Sequence, residues 1–485
     1  MSSYEAVIGL EIHAELKTAS KMFCSCDASF GGEPNAKTCP VCLGHPGVLP
    51  VLNHKAVELA ARLALALNCS IAPYSIYHRK NYFYPDMPKN YQISQYDLPL
   101  GVGGYLDQEM DEGPIHIGIT RVHLEEDTGK SIHISESGRI HGAEYSLEDF
   151  NRAGVPLVEI VSEPDLRTPE QARTFVQELK SIMEHLEVSD CKMEEGSLRC
   201  DANISLREAG STDLGVKTEV KNMNSFRALF RALEYEIERQ EELLTSGGEV
   251  VQETRHWDAD ASATMPLRTK EYAYDYRYFP EPDLVPLELD QGFIEEIEAG
   301  LPELPADRRK RFIEDLDLPA HDAGLLISSK AMGDFFEAAV AEGADPKAVS
   351  NWMMGELSAY LNAQNIEIGE VSITPVQMAA MIALVDEGVI SGKIAKSVFE
   401  EMLASGEDPA RIVERKGITQ ISDEEEISQV IEEVIGENPK SVEDYKGGKQ
   451  KAIGFLVGQV MRKTKGRANP QLVNEMLRKS LDEPG

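Results

Sequence analysis

The chain has 485 residues, enough for two to four separately folded cores rather than one. Its 83 acidic and 48 basic residues leave a formal charge of −35, which excludes binding nucleic acid by global attraction; such a partner would need local basic patches. No apolar run is long enough to span a bilayer, no leader-like segment opens the chain, and seven cysteines are too few for a disulfide framework, so a cytoplasmic protein with no membrane association is expected.

The first informative stretch, Val7 to Leu16, reads Val-Ile-Gly-Leu-Glu-Ile-His-Ala-Glu-Leu. As a strand it puts Ile8, Leu10, Ile12, Ala14 and Leu16 on one face and Glu11, His13 and Glu15 on the other. Carboxylates flanking an imidazole at successive same-side positions suit a hard divalent cation; a solvated strand face is the plainer alternative. Next come Cys24, Cys26, Cys39 and Cys42, two close pairs joined by a Gly- and Pro-containing loop. Four thiolates so arranged can surround one tetrahedral, structural Zn²⁺. Cys69, Cys191 and Cys200 are isolated and read as packing residues. Asn53 then caps a helix expected to run to about Asn68, with Val57, Ala60, Ala61, Ala64 and Leu65 on its apolar side. Beyond it, His78 to Lys89 interleaves cations with rings, Lys80 and Tyr82 among them, and contains two prolines. Such a loop can stack a nucleotide base and hold phosphates, or it can be an ordinary surface loop.

From Ile115 to Asp127 alternation returns, with Ile117, Ile119, Arg121, His123 and Glu125 sharing one parity and Val122, Leu124 and Glu126 the other. Thr128-Gly129-Lys130-Ser131 imitates the end of a phosphate-binding loop, but Leu124 stands where the first Gly belongs, so a P-loop is rejected. Val155–Val161 presents Glu159, and Cys200–Leu206 presents Asp201, Asn203 and Ser205 opposite Ala202, Ile204 and Leu206. A mixed or antiparallel sheet could gather these groups on one concave face. Clustered carboxylates are costly without a cation, which argues for Mg²⁺ of the kind that accompanies ATP. Thr168 with Pro169 and Gln171 forms a capping box, and Asn224 or Ser225 opens a helix with Phe226, Leu229, Leu233 and Ile237 as its stripe. Near Asp290 strands give way to helical periodicity, including a helix begun by Thr374 and Pro375 with Met378, Met381, Ile382 and Val385 as core. From about Asp408 the chain starts acidic, with Ser422-Asp423-Glu424-Glu425 as a capping box, then reverses sign beyond Lys440. There, Lys446 to Lys451 and Arg462 to Arg467 combine Gly with cations that can meet phosphate.

Several stretches together are highly specific: Val7-Ile8-Gly9-Leu10-Glu11-Ile12-His13, Arg79-Lys80-Asn81-Tyr82-Phe83-Tyr84-Pro85-Asp86, Glu125-Glu126-Asp127-Thr128-Gly129-Lys130, Lys192 to Asn203, Asp275 to Pro282, and Lys465 to Gln471. Over essentially its whole length the chain resembles the B-subunit family of the glutamyl-tRNA(Gln)/aspartyl-tRNA(Asn) amidotransferases. The resemblance implies an α+β protein: a mixed or antiparallel-sheet cradle domain over residues 1–290 with the kinase and transamidase site and the zinc-binding insert, an all-α helical domain over 291–407, and a small helical tail domain over 408–485 that meets tRNA. It also implies a heterotrimer with a glutaminase A subunit and a small C subunit.

Carried over by position, Glu11, His13, Glu126 and Glu159 resemble the Mg²⁺ and ATP site. Parity leaves Glu125 and Glu126 on opposite faces, so the motif alone selects Glu126, and both stay metal candidates. Lys80 and Lys130 are candidate phosphate partners, and Arg199, Asp201 and Asn203 candidates for orienting substrate or conducting ammonia. The activity implied is ATP-dependent phosphorylation of the side-chain carboxylate of Glu-tRNA(Gln), Asp-tRNA(Asn) or both, followed by attack of ammonia on the acyl phosphate. A self-contained ATP-dependent carboxylate–amine ligase would use the acid face but leave the basic tail unexplained. A zinc-containing RNA-binding scaffold would explain the cysteines and tail but not the acids.

Overall fold

The computed structural model describes residues 3–110, 113–135, 143–269, 273–418, 424–447, 449, 451–464, 468 and 470–482. The chain divides into two compact units, Met1–Pro305 and Ala306–Gly485. It is α+β: a mixed sheet first, then helices.

The first unit opens with β1 (Tyr4–Glu15), helix α1 (His54–Ala66), the short β2 (Ser70–Ile71) and β3 (Tyr74–Ser75), then β4 (Tyr77–Asn81), β5 (Tyr91–Gln95), β6 (Gly101–Gln108) and β7 (Ile115–Glu126). A hairpin of β8 (Lys130–Ile134) and β9 (Tyr145–Asp149) precedes β10 (Pro156–Ser162), α2 (Pro169–His185), β11 (Leu198–Glu208), β12 (Thr218–Met223) and α3 (Phe226–Thr245). β13 (Glu253–Asp258), β14 (Ala263–Thr269), β15 (Phe279–Pro280), β16 (Leu287–Glu288) and α4 (Gln291–Ala299) complete it. The main sheet runs β14-β13-β12-β11-β1-β10-β7-β5-β4-β15, with β6 added to β7 and β2 to β6. β1 sits near its middle, antiparallel to both β10 and β11.

The alternation of β1 decides how the sheet is dressed. Ile8, Leu10, Ile12 and Ala14 are at most 1% exposed and join the core with α1, α2 and α3, each Leu or Ile contributing about 1.5–3 kcal/mol. Asn53 caps α1 as expected: its Oδ1 accepts from Lys55 N at 3.0 Å, while its Nδ2 donates to Ser20 O at 2.9 Å and ties the helix to the cysteine loop. Thr168 caps α2 and Ser225 caps α3, but Gln171 accepts from Arg167 N rather than closing a reciprocal box.

The single parity expected from Ile117 to Glu125 is broken. Val161 pairs with Arg121 but Ser162 with Ile119, so Thr120 is an extra residue in β7, a bulge that turns the strand over. Ile117 and Ile119 therefore join the apolar core with Val122 and Leu124, while Arg121, His123 and Glu125 go to the other face.

In the second unit, helices from Pro305–Glu314 to Pro470–Asp482 form two hydrophobic clusters. Met378, Met381 and Ile382 are buried in the first, on a helix begun by a capping box of Thr374 and Gln377. Ile427, Leu456, Val460 and Leu477 anchor the second. Ser422 and Asp423 of the expected capping box, Gly448 and Gln450, and Lys465, Gly466, Arg467 and Asn469 of the basic motif lie outside the described residues.

Candidate active site

On the face of the sheet away from the helices, adjacent strands bring polar side chains into one row. The antiparallel register pairs His13 with Arg199 on one side and with Glu159 on the other, and Glu159 with His123. One step along, Glu11 pairs with Asp201 and Glu125 with Ser94. His13 Nε2 lies 3.3 Å from Glu159 Oε2, 3.6 Å from Glu11 Oε1 and 3.7 Å from Glu125 Oε1. His123 Nε2 is 3.3 Å from the same Glu159 oxygen and 4.0 Å from Glu125 Oε2. Arg121 Nη2 reaches Glu159 Oε1 at 3.4 Å. Glu125, His123 and Glu159 are 2–4% exposed, so their charges are bearable only through one another or through a cation.

The electrostatics follow from that crowding. Burial, then Glu159, raises Glu11 above the ordinary carboxylate range. Burial alone would favour a neutral His13, but its hydrogen bond to Glu159 and the charges of Glu159, Glu125 and Glu11 push it up to about 9. Glu159 is held well below its ordinary value against burial, by His123 and His13. Burial opposes the Lys80 ammonium, yet Glu125, Tyr278 and Glu159 keep it above its ordinary range. The Tyr276 ring lies 5.2 Å from Lys80 Nζ, and Tyr82 packs edge-on against that ring at 6.3 Å.

Flanking this row, Arg199 pairs with the buried Asp127 at 2.8 Å, and burial together with Asp127 pushes Glu15 up to about 8. Asp201 pairs with Lys221 at 2.5 Å. Asn203, opposite Gly9, keeps a buried Oδ1 without a hydrogen-bond partner.

Two expected site residues stand elsewhere. Glu126 is turned to the opposite face, where it pairs with Lys89 and accepts from Ile93 N at 2.9 Å, because two consecutive strand residues cannot share a face. Lys130 is exposed on the separate β8–β9 hairpin. His123, conversely, is the site residue that sequence reasoning misses, although His123-x-Glu125 mirrors the spacing of Glu11-x-His13.

The four cysteines also converge, their sulfurs all within 4.8 Å of one another. Cys39 and Cys42 Sγ are 3.9 Å apart, and Cys39 N–H donates to Cys42 Sγ at 3.1 Å. Bonds of about 2.3 Å to a tetrahedral ion require sulfurs about 3.8 Å apart, so the set suits Zn²⁺. The hydrogen bond from Cys24 lowers the Cys42 thiol to about 5, helped by Lys21, whose fully buried Nζ lies 3.9 Å from its sulfur. The loop is bound down by Met22 N to Gly154 O at 2.7 Å and Lys37 N to Asn151 Oδ1 at 2.8 Å. A cleft of about 200 Å³ is shared by this loop and strands β4, β5 and β7, lined by Cys42, His45, Arg79, Lys89, Tyr91 and Glu126. Among the described residues no helix is long and apolar enough to cross a membrane.

Comparison with known proteins places these features in a family. Residues 6–295 match the model of the GatB/GatE catalytic domain, and residues 334–481 that of the GatB domain. A protein of Carboxydothermus hydrogenoformans is 57% identical, covering 99% of this chain and 99% of its own. Proteins of Moorella thermoacetica and Thermoanaerobacter pseudethanolicus are 58% and 59% identical, each covering 99% of this chain and 100% of its own. All three are described as the B subunit of an aspartyl/glutamyl-tRNA(Asn/Gln) amidotransferase.

Proposed function

The chain belongs to the GatB family, and from that premise we propose that it is the subunit that converts misacylated Glu-tRNA(Gln), Asp-tRNA(Asn) or both into Gln-tRNA(Gln) and Asn-tRNA(Asn), using ATP. The observation that carries this reading is the row of Glu11, His13, Glu125 and Glu159 beside Lys80, on one face of a sheet that the family model covers.

A carboxylate is a poor acyl donor because oxide or hydroxide would have to leave. In the proposed reaction a side-chain oxygen of the aminoacyl ester attacks the γ-phosphorus of ATP and the bond to ADP breaks. Neutral ammonia then attacks the carbonyl carbon, loses a proton, and the phosphate departs with the original carboxylate oxygen. Positioning and charge neutralisation are what phosphoryl transfer demands of the protein. A divalent cation, Mg²⁺ in this reading, would be held by Glu11, His13, Glu125 and Glu159 and would supply that neutralisation. We assign the metal role to Glu125 rather than Glu126 because Glu125 is within 4 Å of His13. Lys80 faces the phosphates, and Tyr82 and Tyr276 offer ring faces for a base. Arg199, fixed by Asp127, is pre-oriented for a substrate carboxylate, with Asp201 and Asn203 beside it.

Zn²⁺ on Cys24, Cys26, Cys39 and Cys42 would be structural, since four protein ligands leave no open position. The partners proposed are tRNA, a glutaminase A subunit and a small C subunit in a cytoplasmic heterotrimer. The three-domain division at residues 290 and 407 is part of the proposal; two separate apolar clusters in the helical region agree with two helical domains, the first of them reaching Ile412 and Val413.

The test assembles the chain with its partner subunits and supplies misacylated tRNA, ATP, Mg²⁺ and an ammonium salt instead of glutamine. Product should form with the parent and fall roughly 100-fold or more in Glu11→Gln and His13→Ala while tRNA binding persists. Normal rates in both variants would refute the site; no product with either misacylated tRNA would refute the activity.

A further inference from the structure

Four thiolates outweigh the charge of one Zn²⁺, so the cysteine site as a whole is an anion, and Cys42, 4% exposed, carries its share where water cannot solvate it. Two lysines of this region are engaged elsewhere: Lys37 pairs with Asp27 at 3.1 Å and donates to Ser29 O at 2.6 Å, and Lys89 pairs with Glu126. Lys21 is different. It is 1% exposed, its Nζ lies 3.9 Å from Cys42 Sγ and donates to Phe150 O at 3.2 Å, and among the described residues it forms no ion pair with a carboxylate. Resting on the zinc reading above, we propose that Lys21 is the counter-ion of the zinc–thiolate group and ties that group to the turn Phe150–Gly154, which leads into β10.

The dependence runs both ways. A buried ammonium without a carboxylate is as costly as a buried thiolate without a cation, and the contact between Lys21 and Cys42 answers both. The two side chains meet against the turn: a Cβ on Gly154, which stands at φ +87°, would lie 3.4 Å from Cys42 Cβ and 3.5 Å from Lys21 Cδ. From the turn the link continues toward the polar face of the sheet. Arg152 donates to Thr128 O at 3.0 Å and to Gly129 O at 2.8 Å and lies 3.7 Å from Asp127 Oδ2, and Asp127 in turn pairs with Arg199. Lys21 is thus a positioning residue that acts through the thiolate and the turn. A compact point charge on a flexible apolar stem suits that place, because the stem can be buried while the ammonium faces sulfur on one side and a carbonyl on the other.

The experiment uses the full chain in complex with its partner subunits. Zinc retained against a competing chelator is measured in the parent and in Lys21→Met, which keeps an apolar stem but not the charge; Co²⁺ then replaces Zn²⁺ and the thiolate-to-metal charge-transfer band is recorded. One equivalent of zinc is expected in the parent, held roughly tenfold or more less tightly by Lys21→Met. The band should move to longer wavelength in the variant, because a thiolate without its cation gives up an electron more easily. An unchanged affinity or an unchanged band overturns the counter-ion, the second by marking a role in packing alone, and leaves the zinc reading in place. A parent that binds no zinc overturns both. A second pair of variants decides the question even if Lys21→Met does not fold. With zinc stripped by chelator, Cys42→Asp restores an anion beside Lys21 and Cys42→Ser does not, so Cys42→Asp should melt a few degrees higher. An equal or lower melting temperature overturns the proposal.

Discussion

Glu236 is fully buried in the middle of α3 and stays ionised. Burial favours its neutral form, but hydrogen bonds from Arg239 Nε at 3.0 Å, Gln240 Nε2 at 2.9 Å and Thr264 Oγ1 at 2.9 Å hold it below the ordinary 4.5. A carboxylate whose folded pKa lies below its unfolded one stabilises fully above the unfolded value and loses that contribution as pH falls through the folded value. Glu236→Ala should therefore cost about 1–3 kcal/mol at pH 7, since it takes an acceptor away from the buried Gln240 and Thr264, while Arg255 keeps its pairing with Glu253. The cost should shrink as pH falls below 4.5, measured by urea unfolding; an equal cost at pH 7 and pH 3 would contradict the assignment. On the polar face of the sheet, Glu11, His13 and Glu159 were legible because their neighbours alternate cleanly with apolar residues. Between Glu125 and Glu126 the motif selected Glu126, whereas the fold puts Glu125 beside His13 and Glu126 beside Lys89. That choice depends on which of two adjacent glutamates meets Lys89, a partner 37 residues away in sequence.

The elements show why the remainder was hidden. Alternation within a strand is legible locally, but the bulge at Thr120 has no composition signature, since Thr suits a regular strand equally well. It lets one β-strand feed the apolar core at Ile117 and the polar face at His123, and it is defined only by pairing with β10, some forty residues later. The cysteine loop was legible from spacing; its attachment to Gly154 and Asn151 was not. Replacing Cys39 and Cys42 together by Ser should remove one equivalent of zinc and speed proteolytic cleavage between residues 24 and 47 roughly tenfold, because little else than loop hydrogen bonds would hold that segment. Unchanged zinc content would contradict the metal assignment.

For the whole molecule, the sign reversal of the last forty-odd residues was the signal for a separate tail domain, and residues from Ile427 to Leu481 form an apolar cluster of their own. Part of the basic excess is already neutralised: Lys463 pairs with Glu433 and Glu437 at 2.8 and 2.7 Å, and Lys449 with Asp444 at 2.9 Å. Ending the chain after Gly417 should raise KM for aminoacyl-tRNA roughly tenfold or more and flatten its salt dependence, with kcat in the ammonium assay nearly unchanged. An unchanged KM would favour a small-molecule ligase. The order of bond making is best tested with the side-chain carboxylate of the misacylated glutamate labelled with ¹⁸O. Phosphorylation on this face requires one labelled oxygen to appear in inorganic phosphate for each Gln-tRNA formed; label released in water, or carried into AMP, would contradict it.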